Sequence, residues 1–182
     1  MSEVLSALPG ATGSADTRVS EAGLVGMVTL RGDLSDAKLR QAVSDVTGTA
    51  FPEQGKITWD GARGLGWMSP DELLILTGHG EAAGVVETLH TALDGQHVLA
   101  VNVSDARAVF DVEGPGWRDV VARLSPMDLR GFKTGDLRRT RFGQIAAAVW
   151  TTDEECARIV CFRSVARYMF DLLETAAQAG RL

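Results

Sequence analysis

The sequence predicts an α+β fold with antiparallel sheets that carry helices packed on one face. Three observations predict it. Apolar residues recur at helical spacing in four stretches, they alternate at strand spacing in others, and the strand-like stretches come in adjacent pairs between the helices. With 182 residues, 45% of them hydrophobic, the chain can bury about 70% of the surface its unfolded form exposes. That is enough for one domain, or for two lobes sharing a core.

Residues 1–22 contain Pro9-Gly10 and Gly13-Ser14 and no apolar periodicity, so they read as a flexible N-terminal arm, with the α+β domain spanning 23–182. Order is expected from Leu24, where Leu24 to Leu30 reads as a strand. Ser35 is placed to cap a helix with Leu39, Ala42, Val43 and Val46 on one face. Short strands are expected at Lys56 to Asp60, Gly64 to Met68 and Glu72 to Thr77. Val85, Val86, Leu89, Ala92 and Leu93 mark a helix from about Glu81 that stops at Asp94-Gly95. Two strands follow, with Leu99, Val101 and Val103 on one face of the first and Ala106, Ala108, Phe110 and Val112 alternating in the second. Pro115 suits the first turn of a helix, and Trp117, Val120, Val121 and Leu124 follow the i, i+3, i+4, i+7 pattern. After a loop containing Pro126, Gly131 and Gly135, the run Ile145 to Trp150 is apolar on both faces, as in a central strand, and Ala157 to Phe162 is its partner. The last helix starts near Ser164, buries Val165, Met169, Leu172, Leu173 and Ala176, and ends at Gly180.

Composition excludes several function classes. Two cysteines cannot make a disulfide framework, which points to a reducing compartment. The N-terminal residues lack the basic and apolar regions of a secretory signal, and Ile145 to Trp150 falls far short of the roughly 20 apolar residues that span a bilayer. A soluble, cytoplasmic protein without membrane contact is expected. The formal net charge of -6 argues against nucleic-acid binding. The charge is uneven, however: residues 130–182 hold 9 of the 18 Lys+Arg and only 6 of the 24 Asp+Glu.

Gly78-His79-Gly80-Glu81-Ala82-Ala83 has the G-x-G-x-x-A form of a dinucleotide fingerprint, after a strand and at a helix start. Glu81 would repel phosphates there, and Asp105 lies too far on for a ribose-binding acid, so a glycine turn between strand and helix is the better reading. Cys156 and Cys161, an odd number apart on a strand, face opposite ways and cannot share a metal. His79, His90 and His97 fit no metal or catalytic spacing, and neither a G-x-S-x-G nor a P-loop pattern occurs. The run Arg130, Lys133, Arg138, Arg139, Arg141 is more suggestive. An anion or cofactor phosphate, RNA, an acidic neighbouring subunit and plain solvation all remain open for it. In an extended segment Arg139 and Arg141 share a face while Arg138 takes the other. Arg163 before Ser164 at a helix start is a second candidate anion site, with pairing to a nearby carboxylate as the simpler alternative.

Six segments in order resemble the gamma subunit of heterotetrameric sarcosine oxidase. They are Gly66-Trp67-Met68-Ser69-Pro70-Asp71-Glu72-Leu73-Leu74, Val103-Ser104-Asp105-Ala106-Arg107-Ala108-Val109-Phe110, Val112-Glu113-Gly114-Pro115-Gly116, Pro126-Met127-Asp128-Leu129, Arg139-Thr140-Arg141-Phe142-Gly143-Gln144 and Arg163-Ser164-Val165-Ala166-Arg167-Tyr168. Leu73 stands where the family commonly has an aromatic residue, and Ser125 where it often has cysteine. The resemblance implies the folate-binding fold of the glycine-cleavage T-protein. It also implies a part in the oxidative demethylation of sarcosine to glycine, with hydrogen peroxide and formaldehyde, or methylenetetrahydrofolate when folate is present. It implies partners, the alpha, beta and delta subunits, which would hold FAD, FMN, NAD, zinc and tetrahydrofolate. This chain would have no cofactor, metal site or catalytic residue of its own. Arg138, Arg139, Arg141, Arg163 and Arg167 are then the candidates for contact with acidic or cofactor-adjacent surfaces of those subunits. The rivals are a stand-alone folate-dependent one-carbon transferase and a small RNA-binding module. The first needs about twice this length. The second has only Phe132 and Phe142 as stacking aromatics near the basic run.

Overall fold

The computed structural model describes residues 4–13, 16–151 and 153–179. The chain forms two compact units, one of residues 24–104 and one of the segments before and after. The first segment contains two strands, β1 (Thr12–Gly13) and β2 (Arg18–Glu21), paired antiparallel. This corrects the expectation of an arm that stays unstructured up to Leu24. The strands are too short to show a period, and side chains elsewhere hold the segment: the Glu21 carboxylate accepts hydrogen bonds from the Ser6 hydroxyl and the Ala7 N–H, at 2.8 and 3.0 Å. Residues 1–3 and 14–15 of the expected arm lie outside the described residues.

The unit of residues 24–104 contains, in order, β3 (Val25–Arg31), α1 (Ala37–Thr47), β4 (Ile57–Asp60), β5 (Arg63–Ser69), β6 (Glu72–Gly78), α2 (Ala82–Ala92) and β7 (Leu99–Asn102). Its sheet is antiparallel with order β4-β5-β6-β3-β7. Asp36, one residue beyond the expected Ser35, caps α1 by accepting from the Leu39 N–H at 2.8 Å. Gly48, left-handed at φ 75°, ends that helix. Leu39 and Val43 of α1 and Val85 and Leu89 of α2 pack with Val28, Leu30, Leu65, Leu73 and Ile75, so both helices lie on one face of the sheet.

The second segment adds β8 (Arg107–Glu113), α3 (Trp117–Leu124), β9 (Leu137–Phe142), β10 (Ile145–Thr151), β11 (Cys156–Phe162) and α4 (Ala166–Gln178). Its sheet has the order β1-β2-β8-β11-β10-β9, again antiparallel. Trp117, Val120 and Val121 of α3 and Met169, Phe170 and Leu173 of α4 cover Phe110, Val112, Val149 and Ile159 on one face. Each such side chain contributes about 1.5–3 kcal/mol of burial. The sequence predicts no strand between the loop containing Pro126, Gly131 and Gly135 and the run from Ile145, yet Leu137–Phe142 is a strand, and β7 and β8, read as neighbours, belong to different sheets. The expected helix stop at Gly180 lies outside the described residues.

Candidate functional site

Arg138, Arg139 and Arg141 of the basic run stand on β9, the edge strand of the six-stranded sheet, while Arg130 lies in the loop before it and pairs with Asp128 at 2.9 Å. The β9 backbone is fixed from three sides. The Arg118 guanidinium donates to the Phe132 carbonyl at 2.8 Å and stacks 4.4 Å from the Trp117 ring, which ties α3 to the loop before β9. The buried Asp136 carboxylate accepts from the Lys133 N–H at 2.9 Å. Gly143, at φ 56°, makes the turn into β10 and donates its N–H to Leu124 O at 2.8 Å.

Arg139 lies opposite Ala148 and Arg141 opposite Ala146, so both project from the face that α3 and α4 leave uncovered. Arg138 takes the other face, donating to the Leu137 carbonyl at 2.9 Å with its guanidinium 5.9 Å from the Phe132 ring centre. Arg139 and Arg141 are two residues apart, about 7 Å along the strand. Two like charges so placed favour an anionic counterpart. All three arginines are exposed, and the Arg141 side chain has no hydrogen bond or ion pair with any described residue.

The other candidates are placed elsewhere. The Nη2 of Arg163, in a 3₁₀ turn before α4, donates to the carbonyls of Leu5 and Ser6, each at 2.9 Å, and so holds the N-terminal segment. Arg167 pairs with Asp171 one turn along α4, Nε to Oδ1 3.0 Å.

The glycine fingerprint is a turn: the Glu81 carboxylate accepts from the Thr77 hydroxyl at 2.6 Å and from Arg63 at 3.3 Å. Those bonds, Thr77 foremost, hold the Glu81 carboxyl below its ordinary range. Cys156 and Cys161 both lie on β11, and burial pushes each thiol up to about 12. Among the described residues, no three His, Cys, Asp or Glu side chains are grouped to hold a metal ion, and no helix is long and apolar enough to cross a membrane. Sequence reasoning missed an open, mostly apolar cleft of about 370 Å³ between α3 and α4, lined by Leu124, Tyr168, Leu172 and Ala176. The signal for it is Tyr168, an aromatic residue off the buried stripe of α4 and 54% exposed.

Fold and site together define an α+β protein of antiparallel sheets, each with helices on one face, whose most distinctive surface is a cationic sheet edge. A chain of the heterotetrameric sarcosine oxidase from Corynebacterium sp. U-96 has this fold, with a TM-score of 0.82 and 23% identity over 92% of this chain and 88% of that one. The glycine cleavage system aminomethyltransferase T of Bartonella henselae shares it at a TM-score of 0.63 and 12% identity, covering 85% of this chain and 44% of that one. The model of the sarcosine oxidase gamma subunit family matches residues 31–179, and the chain belongs to that family. The gamma subunit of sarcosine oxidase from Arthrobacter sp. is 29% identical over 135 residues, 72% of this chain. The matched region spans 64% of that relative, less than two thirds of its length.

Proposed function

We propose that the chain is the gamma subunit of a flavin-dependent sarcosine oxidase and supports the oxidative demethylation of sarcosine to glycine without catalysing it. Hydrogen peroxide and formaldehyde would be the other products, or 5,10-methylenetetrahydrofolate with folate present. The alpha, beta and delta subunits would be its partners and would carry FAD, FMN, NAD, zinc and tetrahydrofolate. The observation that carries the reading is the family match across residues 31–179. An accessory role draws support from how the chemically suggestive groups are used: Glu81 closes a turn, Arg163 holds two backbone carbonyls, and both thiols stay protonated near neutrality. The exposed Arg139 and Arg141 are the leading contacts to acidic surfaces of the larger subunits, with Arg138 on the other face of β9 and Arg167 on α4 as further candidates and Arg163 acting on the N-terminal segment.

Co-expression with the candidate partner subunits and purification through a tag on this chain tests the reading. A complex of four different subunits with bound flavin and sarcosine-dependent peroxide formation is expected. Recovery of this chain alone, from cells that make all four, would overturn it. Within the complex, Arg139→Ala with Arg141→Ala is expected to weaken retention of the chain, and unchanged assembly and turnover would remove these two residues from the interface.

A further inference from the structure

Strand register on the face of the six-stranded sheet opposite α3 and α4 carries one more step. Phe162 of β11 lies directly opposite Arg107 of β8, and Ala146 of β10 opposite Arg141 of β9. The β10–β11 register pairs Ala147 with Cys161, and continuing it by one residue sets Ala146 beside Phe162. Arg107, Phe162, Ala146 and Arg141 therefore form one row across four adjacent strands, about 14 Å from first to last. The row is open: Phe162 is 55% exposed, and Ala146 and Arg141 are exposed too. One step along the strands, Val109, Val160 and Ala148 are buried, so the row sits at the margin of a covered region. The Arg107 guanidinium is 6.0 Å from the Phe162 ring centre. On the same face Asp111 pairs with Arg158 and Glu113 with Arg18.

We propose that this row is a docking surface in which Phe162 is the apolar anchor, Ala146 the shallow notch beside it, and Arg107 and Arg141 the flanking cations. The fitting partner is a segment of another subunit that presents an apolar side chain between carboxylates. A central aromatic residue framed by arginines is the composition of an interface hot spot. Charge decides against a two-fold contact with a second copy of this chain, which would bring like charges together across the row. The proposal rests on the reading of the chain as a subunit of a heteromeric oxidase.

The test uses the assembled complex carrying Phe162→Ala or Arg141→Glu in this chain, with loss of the chain followed by native mass spectrometry after dilution. Each variant is expected to be lost at least about tenfold faster than the parent chain. Added salt is expected to speed loss of the parent chain and to have little effect on the Arg141→Glu variant. Unfolding midpoints of the two variant chains within about 2 °C of the parent's are expected, since both side chains are exposed. Variants retained like the parent chain would overturn the docking surface while leaving the subunit reading intact. A parent chain that joins no complex would overturn both.

Discussion

Arg158 holds Asp111 across β11 and β8, with its Nε 2.7 Å from Oδ1 of the residue directly opposite it. The Asp111 side chain is only 15% exposed, so this pair is less screened than a surface ion pair. Asp111 also acts on Cys156: burial is the main cause of that thiol's raised pKa, and the Asp111 charge is the next. Asp111→Asn is therefore expected to lower the Cys156 pKa from about 12 while leaving it above 9.0, because burial persists. The stability cost is expected to be about 1 kcal/mol. The pH profile of thiol alkylation and a denaturant titration check the two effects.

Both thiols make stability fall at high pH. Each is raised in the folded chain from 9.0 to about 12. The contribution is thus fully present below pH 9, where folded and unfolded chains hold the same protons. Above it the unfolded chain gives up thiol protons that the folded chain keeps, so stability declines as pH rises from about 9 to about 12. Replacing both cysteines with alanine is expected to flatten this limb in denaturant titrations at stepped pH. An alkaline limb as steep as that of the parent chain would assign the loss to other groups.

The N-terminal segment is held by two side chains from opposite directions. Glu21 accepts from Ser6 and Ala7, and Arg163 donates to the carbonyls of Leu5 and Ser6. Glu21→Ala or Arg163→Ala is expected to open residues 4–8 at a local cost of about 2 kcal/mol. Hydrogen exchange read at Ala7 and Leu8 should rise about 30-fold, the equivalent of that cost. The core amides of β8 and β11 should keep their protection.

What the sequence made legible follows from where the signal is local. The stripes on α2, α3 and α4 and the two-sided apolar run of β10 are local patterns, and each element formed there. β9 escaped because Arg138, Arg139, Thr140 and Arg141 show no apolar alternation. An edge strand needs only one paired neighbour, and charges on it discourage wrong pairing. Separation of β7 from β8 was illegible for another reason: β7 pairs with β3, some seventy residues earlier, and such pairing leaves no mark in the local period. The basic run could be read as a candidate site, but the row it shares with Phe162 exists only through register across three strand pairs.

Glycine need is the clearest contrast between motif and structure. Gly80, the second glycine of the fingerprint, has nothing within 4 Å of where a Cβ would stand and no left-handed backbone. A dinucleotide loop would require glycine there, so that the backbone can approach a pyrophosphate. Gly26, in no motif, is where β3 comes so close to β6 that a Cβ would press into the Gly78 carbonyl oxygen and the Thr77 side chain. Backbone cannot step aside as the end of a flexible side chain can. Gly80→Ala is expected to change stability by less than about 0.5 kcal/mol. Gly26→Ala is expected to cost on the order of 3 kcal/mol. Parallel denaturant titrations of the two variants check this, and a Gly80→Ala loss as large as that of Gly26→Ala would reinstate a special role for the fingerprint.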